Sequence, residues 1–198
     1  MERLTRVKHL ATVALIFNLG VAPAYAQDDS VKMKFSGNGA ASPINLQYPN
    51  TSTFEENVAG KGALGSFTFR NVSAGANFPL QPPPSTCSGP TQLFFPRVAG
   101  AGIFTFQDGS LLNVKLLTQP QGGDCIDLVA NEGHCTLTLQ IMGGTDRFKD
   151  AKGKLTFTET ALPVLVDNFG IPVFFAETGE LMGTVSGVSE EQGQDEGQ

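Results

Sequence analysis

At 198 residues the chain is long enough for one domain with a proper core and too short for two comfortable ones. Its 13 Lys and Arg against 19 Asp and Glu leave a formal charge of −6, which excludes the basic patches that nucleic acid and anionic lipid demand. With two histidines, no tryptophan and 15 phenylalanines, its apolar mass is mostly Phe, Leu, Val and Ile, and few side chains can move protons.

Met1 to His9 carries Arg3, Arg6 and Lys8, Leu10 to Val21 is apolar, and Ala24-Tyr25-Ala26 has the small residues at which signal peptidase cuts. The apolar run is shorter than the roughly 20 residues needed to span a bilayer, and no other segment is long and apolar enough to cross as a helix. Residues 1–26 therefore read as a cleaved signal peptide. The mature chain is expected to start at Gln27, to be periplasmic or extracellular, and not to insert into a membrane. Cleavage removes three basic residues and one acidic one, so 172 residues (198 − 26) carry 10 − 18 = −8. His134 and Tyr48 are then the remaining histidine and tyrosine.

Val31 to Ser36 alternates as a short strand with one apolar face. Residues 37–53, rich in Gly, Asn, Ser and Pro, read as an irregular loop. Residues 62–72 hold Leu64, Phe67 and Phe69 at strand spacing. Residues 73–90, with Pro79 and Pro82-Pro83-Pro84, predict a long extended loop, because proline is unfit for a central ladder. Thr91 to Phe95 is a short strand stopping at Pro96. Residues 101–107 and 110–118 flank Asp108-Gly109, a strong hairpin signal. Residues 120–124 read as a loop, 125–130 as a short strand and 134–142 as a longer one. Residues 154–161 and 181–188 complete the strands, with the proline-containing 163–176 between them as a lid or edge segment. The last ten residues, 189–198, are expected to be a disordered acidic tail. The single folded domain is thus 27–188. Seven to nine short antiparallel strands indicate a sandwich or an up-and-down barrel.

One segment is more specific. Ile141-Met142-Gly143-Gly144-Thr145-Asp146-Arg147-Phe148 leads into Lys149-Asp150-Ala151-Lys152-Gly153-Lys154, with alternation on both sides. The pattern strand, Gly-Gly-Thr-x-Arg-Phe-x-x-Ala-x-Gly, strand resembles the signature of the dirigent and allene oxide cyclase-like β-barrels. Gly143, Gly144, Arg147, Phe148, Ala151 and Gly153 fall where that pattern wants them, and Asp146 stands where relatives commonly have glycine. The resemblance implies an all-β fold, an antiparallel barrel of about eight strands. It also implies a possible trimer, and function by confining and orienting a small apolar substrate. Physically these residues build the fold: the glycines permit a bend, Phe148 folds onto the core, and Arg147 reaches carbonyls or a carboxylate nearby. A phosphate cradle is excluded, because no Gly-Lys-Ser/Thr follows and no helix is predicted.

Three cysteines allow at most one internal disulfide. Cys125 and Cys135 flank an apparent turn at Asn131-Glu132-Gly133, so a cross-hairpin bridge is the most economical pairing. The alternative joins Cys87 to one of them and staples the proline-rich loop to the barrel. Without C-x-x-C spacing the set does not read as a zinc site, and no metal or cofactor is expected. His134 sits beside Cys135 on a strand, where neighbours point to opposite faces, so a thiolate–imidazole pair is disfavoured.

The catalytic candidates are Asp127, Glu159 and Glu177, on or beside strands, together with Tyr48. A carboxylate inside a Phe-lined barrel would have a raised pKa and could act as a general acid or base. The reading taken is an exported barrel binding a small hydrophobic molecule in its interior or mouth. The alternatives are a cyclase, isomerase or stereo-directing protein of the resembled kind, and a structural envelope protein with a filled core.

Overall fold

The computed structural model describes residues 29–168 and 171–189. The expected signal peptide, 1–26, and the acidic tail beyond Ser189 lie outside the described residues. Nine strands follow in chain order: β1 (Asp29–Ser42), β2 (Thr51–Gly62), β3 (Gly65–Ala76), β4 (Gln92–Phe106), β5 (Leu111–Leu117), β6 (Gly123–Asp127), β7 (Glu132–Gly144), β8 (Lys152–Val166) and β9 (Pro172–Ser186). All pair antiparallel in the order β3-β2-β1-β9-β8-β7-β5-β4, and β4 closes the ring onto β3. β6 pairs with the first part of β4 and of β7, beyond β5, so β5 and β6 fill one ring position in succession. The result is a closed antiparallel barrel of eight positions.

Alternate residues point inward along each strand, and through the middle of the barrel they are apolar. Met33 and Phe35, Phe67 and Phe69, Phe104 and Phe106, Leu137 and Leu139, and Leu155 and Phe157 are all buried there. Phe69 stacks on Phe104 with ring centroids 4.1 Å apart, and Phe35 on Phe157 at 4.8 Å. Each such ring contributes about 1.5–3 kcal/mol by burial, and together they fill the middle of the barrel.

The Gly143–Gly153 signature closes one end. Gly143 has φ +90°, which an L side chain rarely adopts, and Asp146 has φ +49°. Phe148, fully buried, packs on Phe106 at 4.7 Å. Arg147 pairs with Asp108 (Nε–Oδ2 2.6 Å), donates to the Leu64 carbonyl (2.8 Å) and covers the Phe148 ring. The Asp108-Gly109 turn links β4 to β5, with the Phe106 N–H on the Ser110 carbonyl.

Several boundaries differ from the sequence expectation, for one recurrent reason. The loop read at 37–53 is mostly strand, because Gly37 and Gly39 mark close approaches rather than a break. A Cβ on Gly37 would lie 2.6 Å from Val58 Cα, and one on Gly39 1.9 Å from Glu177 Oε1. β2 has no clean alternation around Glu55-Glu56-Asn57 and was not foreseen. β3 runs on to Ala76, β4 runs straight through Pro96, and the 163–176 segment is mostly the β8–β9 hairpin.

The Cys125–Cys135 bridge is corrected: the disulfide joins Cys87 and Cys125, with Cα atoms 5.6 Å apart, and Cys135 is free and buried. The register explains it. Cys125 stands opposite His134 and Cys135 opposite Asp124, so the two sulfurs leave the β6–β7 pair on opposite faces. Cys135 points into the core, whereas Cys87 and Cys125 cluster with Phe94 under the proline-rich loop. Peptide mapping of the oxidised protein should find Cys87 linked to Cys125 and Cys135 unreactive until denaturation. The double variant Cys87→Ser/Cys125→Ser should lose about 3–4 kcal/mol of stability, read by urea unfolding, because the bridge closes a loop with a sequence separation of 38.

Candidate functional site

At the end opposite the signature the inward-facing residues change character. Continuing the same faces, Val58 gives way to Glu56, Phe69 to Asn71 and Ser73, Leu137 to Cys135, and Phe157 to Glu159. β4 adds Arg97 and β9 adds Glu177. All seven are buried. Burial of so many ionisable groups is costly unless each is paired.

Arg97 is the hub. Its Nε donates to Asp124 Oδ2 at 2.6 Å and its Nη2 to Asp124 Oδ1 at 2.9 Å. Its Nη1 donates to Glu56 Oε1 at 3.2 Å and also to the Ser73 hydroxyl. The guanidinium lies 3.7 Å above the centre of the Phe54 ring. Asn71 donates its amide to the other Glu56 oxygen. Burial works against the Arg97 charge, but Asp124, Cys135 and Glu56 beside it hold its pKa well above the ordinary value. Burial raises the Glu56 carboxyl, and Arg97 and Asn71 oppose that rise.

Two carboxyl groups are left over. Glu159 is 6% exposed and Glu177 4% exposed, and the Oε2 atom of each has no hydrogen-bond partner. Burial first, and then the negative charge of Glu56, raises both: Glu177 to about 8 and Glu159 well above the carboxylate range. Glu177 therefore holds a proton at neutral pH. The Cys135 thiol is likewise pushed up, by burial and then by Asp124. Asp124, Cys135 and Glu159 each offer a ligand atom within 4.8 Å of the others.

The strand ends around this layer carry exposed apolar side chains: Leu46, Phe78, Val129, Val164, Leu165 and Ile171. They come from the loops 43–50, 77–91 and 128–131 and from the β8–β9 hairpin, all at this end. Two hollows lie elsewhere. One of about 940 Å3 is lined by Leu64, Asp108, Arg147 and Val188 at the signature end, and one of about 970 Å3 spans Arg70 and Ile103 on the outer wall. In the first, Arg147 and Asp108 are paired with each other and Asp29 is exposed, so the buried ionisable groups gather at the opposite end.

Of the sequence candidates, Glu159 and Glu177 lie in the buried layer. Asp127 does not: it sits at the end of β6, where its Oδ1 accepts the Ala130 and Val129 N–H groups at 3.0 and 2.9 Å, which lower its pKa. Tyr48 is 40% exposed in the 43–50 loop. His134 faces outward, its Nε2 2.6 Å from Glu132. Sequence reading missed Glu56, Asn71, Ser73, Arg97, Asp124 and the inward thiol of Cys135. Strand parity was the available signal for Cys135, which shares a face with Leu137 and Leu139.

No family model matches the chain, and no curated protein matches it. Among solved structures it is similar to a pterocarpan synthase dirigent protein, at 10% identity over 90% of this chain and 98% of that one, with a TM-score of 0.30. A likeness that weak carries no functional argument.

Proposed function

We propose that the polar end of the barrel binds a small, largely apolar molecule carrying an oxygen acceptor, in a protein that works outside the cytoplasm. The observation that carries this reading is the pair of buried carboxyl groups, Glu159 and Glu177, each with an unpartnered Oε2. They lie below a rim of exposed apolar side chains. Small-molecule sites combine an apolar lining with a few fixed polar groups. A protonated carboxyl donates to a carbonyl, ether or hydroxyl oxygen, and an unsatisfied buried polar group costs about 1–3 kcal/mol, which such a partner relieves. An anionic ligand is disfavoured, because Arg97 is already held by Asp124 and Glu56. A barrel serving only as a packed scaffold has use for the phenylalanine-filled middle but none for this polar layer.

A second reading is favoured by the Glu177 pKa of about 8. A carboxyl poised near neutrality can give a proton to a bound oxygen and take one from an adjacent carbon. With the substrate confined, that is isomerase or cyclase chemistry. Export is supported by the Cys87–Cys125 disulfide, a bond that persists in oxidising compartments.

Prodan, an apolar fluorophore with one ketone oxygen, tests the binding reading. The wild-type protein should shift its emission to the blue on binding. Glu177→Met should bind about tenfold more weakly, the equivalent of one hydrogen bond. No binding by the wild-type protein, together with a bare-chain mass by native mass spectrometry after purification from its own host, would sink it.

A further inference from the structure

We infer that Asp124, Cys135 and Glu159 form a binding site for a divalent transition-metal ion of the zinc type. The inference shares Glu159 with the ligand reading above and leaves Glu177 as the free buried carboxyl. It begins from geometry. The three residues come from β6, β7 and β8, and Asp124 faces Cys135 directly across one pair while Cys135 faces Glu159 across the next. One register row of three adjacent strands thus presents three inward ligand atoms, all within 4.8 Å of one another. With zinc–sulfur bonds of about 2.3 Å and zinc–oxygen bonds of about 2.1 Å, two ligands of one tetrahedral ion lie about 3.4–3.6 Å apart. Closing the set around an ion therefore takes side-chain shifts of up to about an ångström.

A thiol beside carboxylates is not a site by proximity alone. The second observation is the orphan oxygen of Glu159: its side chain is 6% exposed, and its Oε2 has no hydrogen-bond partner. A buried carboxyl with an unpartnered oxygen, within 4.8 Å of a thiol and a second carboxylate, is what a metal ligand looks like before the ion arrives. Asp124 is oriented for the same role. Both its oxygens accept from Arg97, leaving a lone pair on each, and ligating carboxylates are ordinarily held by such outer hydrogen bonds.

The donor set selects the ion. One thiolate with two carboxylates suits a borderline ion of the zinc class, whereas calcium and magnesium take oxygen only. Three protein ligands leave a fourth tetrahedral position for water or another molecule. Metal ligands must be deprotonated, so binding should release protons and strengthen as pH rises. Counted ionised, Asp124, Cys135, Glu159 and Glu56 carry four negative charges against one on Arg97, an excess of three (4 − 1) that a dication reduces.

Cobalt(II) is the probe, because a cobalt–thiolate bond announces itself by an intense charge-transfer band in the near ultraviolet. The mature chain, its disulfide intact, is unfolded and refolded with cobalt so that passage into the barrel does not limit binding. The expected result is one ion per chain and a thiolate band, displaced by zinc. Cys135→Ser should lose the band while keeping the β circular-dichroism spectrum and prodan binding. The isosteric Glu159→Gln should weaken cobalt binding at least about tenfold. A refolded wild-type chain with no thiolate band overturns the site, and so does a band that survives in Cys135→Ser. Loss of prodan binding alone would count against the ligand reading and leave the metal site standing.

Discussion

Replacing Arg97 by methionine is expected to cost about 3–5 kcal/mol of stability, the range found when one partner of a buried ion pair is removed. The methionine stem replaces most of the packing on Phe54. What it does not replace is the positive charge shared by Asp124 and Glu56, both left in a nearly water-free layer already holding Glu159 and Glu177. In a domain of this size the loss should lower Tm by roughly 10 °C. The deficit should shrink on acidification, because protonating the two abandoned carboxylates removes the charges that Arg97 neutralised. Arg97→Lys should fall between, keeping a charge but losing the two-pronged grip on Asp124. Calorimetry at two pH values reads all three proteins. A deficit in the methionine variant that is small and independent of pH would mean that the layer is wet enough to screen its own charges.

The second large effect is in the pH dependence of the unmodified protein, measured with a chelator present. Glu177 titrates at about 8 in the folded state against 4.5 in its reference state, and Glu159 and Glu56 are shifted the same way. A folded state that holds more protons than the unfolded one gains stability as pH falls. This contribution is complete below 4.5 and drains away as pH rises towards 8. Asp108 and Asp127 are shifted down from 3.8, Asp108 against its burial by hydrogen bonds from Ser110 and the charge of Arg147, Asp127 by the N–H groups of Ala130 and Val129. Their contribution is present above 3.8 and is lost below it. The stability maximum should therefore lie in mild acid. Tm should fall by at least about 5 °C from pH 4.5 to pH 8. Glu177→Gln, which cannot ionise, should flatten that slope. A Tm that climbs towards neutral pH would contradict the assignment of Glu159 and Glu177 as buried neutral acids.

The barrel was far more legible than the site within it. Phe67 and Phe69, Phe104 and Phe106, and Leu137, Leu139 and Ile141 announce strands because their period of two coincides with an apolar inner face. The polar layer continues that period but reverses its chemistry. A carboxylate on a strand is then ordinarily assigned to the solvent face. For Glu159 the contrary clue was parity with Phe157 and Leu155. Arg97 offered no clue at all: Pro96 broke the strand on paper, whereas in the fold β4 merely exchanges β5 for β6 as its partner at that point. Glu56 lay in a strand whose charged run hid it. The cysteine pairing was misjudged on loop economy, when a one-residue difference in register decides which face a sulfur takes.

That register has a further consequence for how the chain comes to be finished. β6 is only five residues long, and its phase decides two outcomes together: Asp124 turned in to Arg97, and Cys125 turned out to Cys87. A chain caught one residue out of phase would present Cys125 to the interior, beyond the reach of Cys87, and would strand the guanidinium. Oxidation could not then give the Cys87–Cys125 bond. The covalent bond, set outside the barrel interior, thus serves as a stamp of inspection. It forms only where the charged interior has been assembled in the right phase.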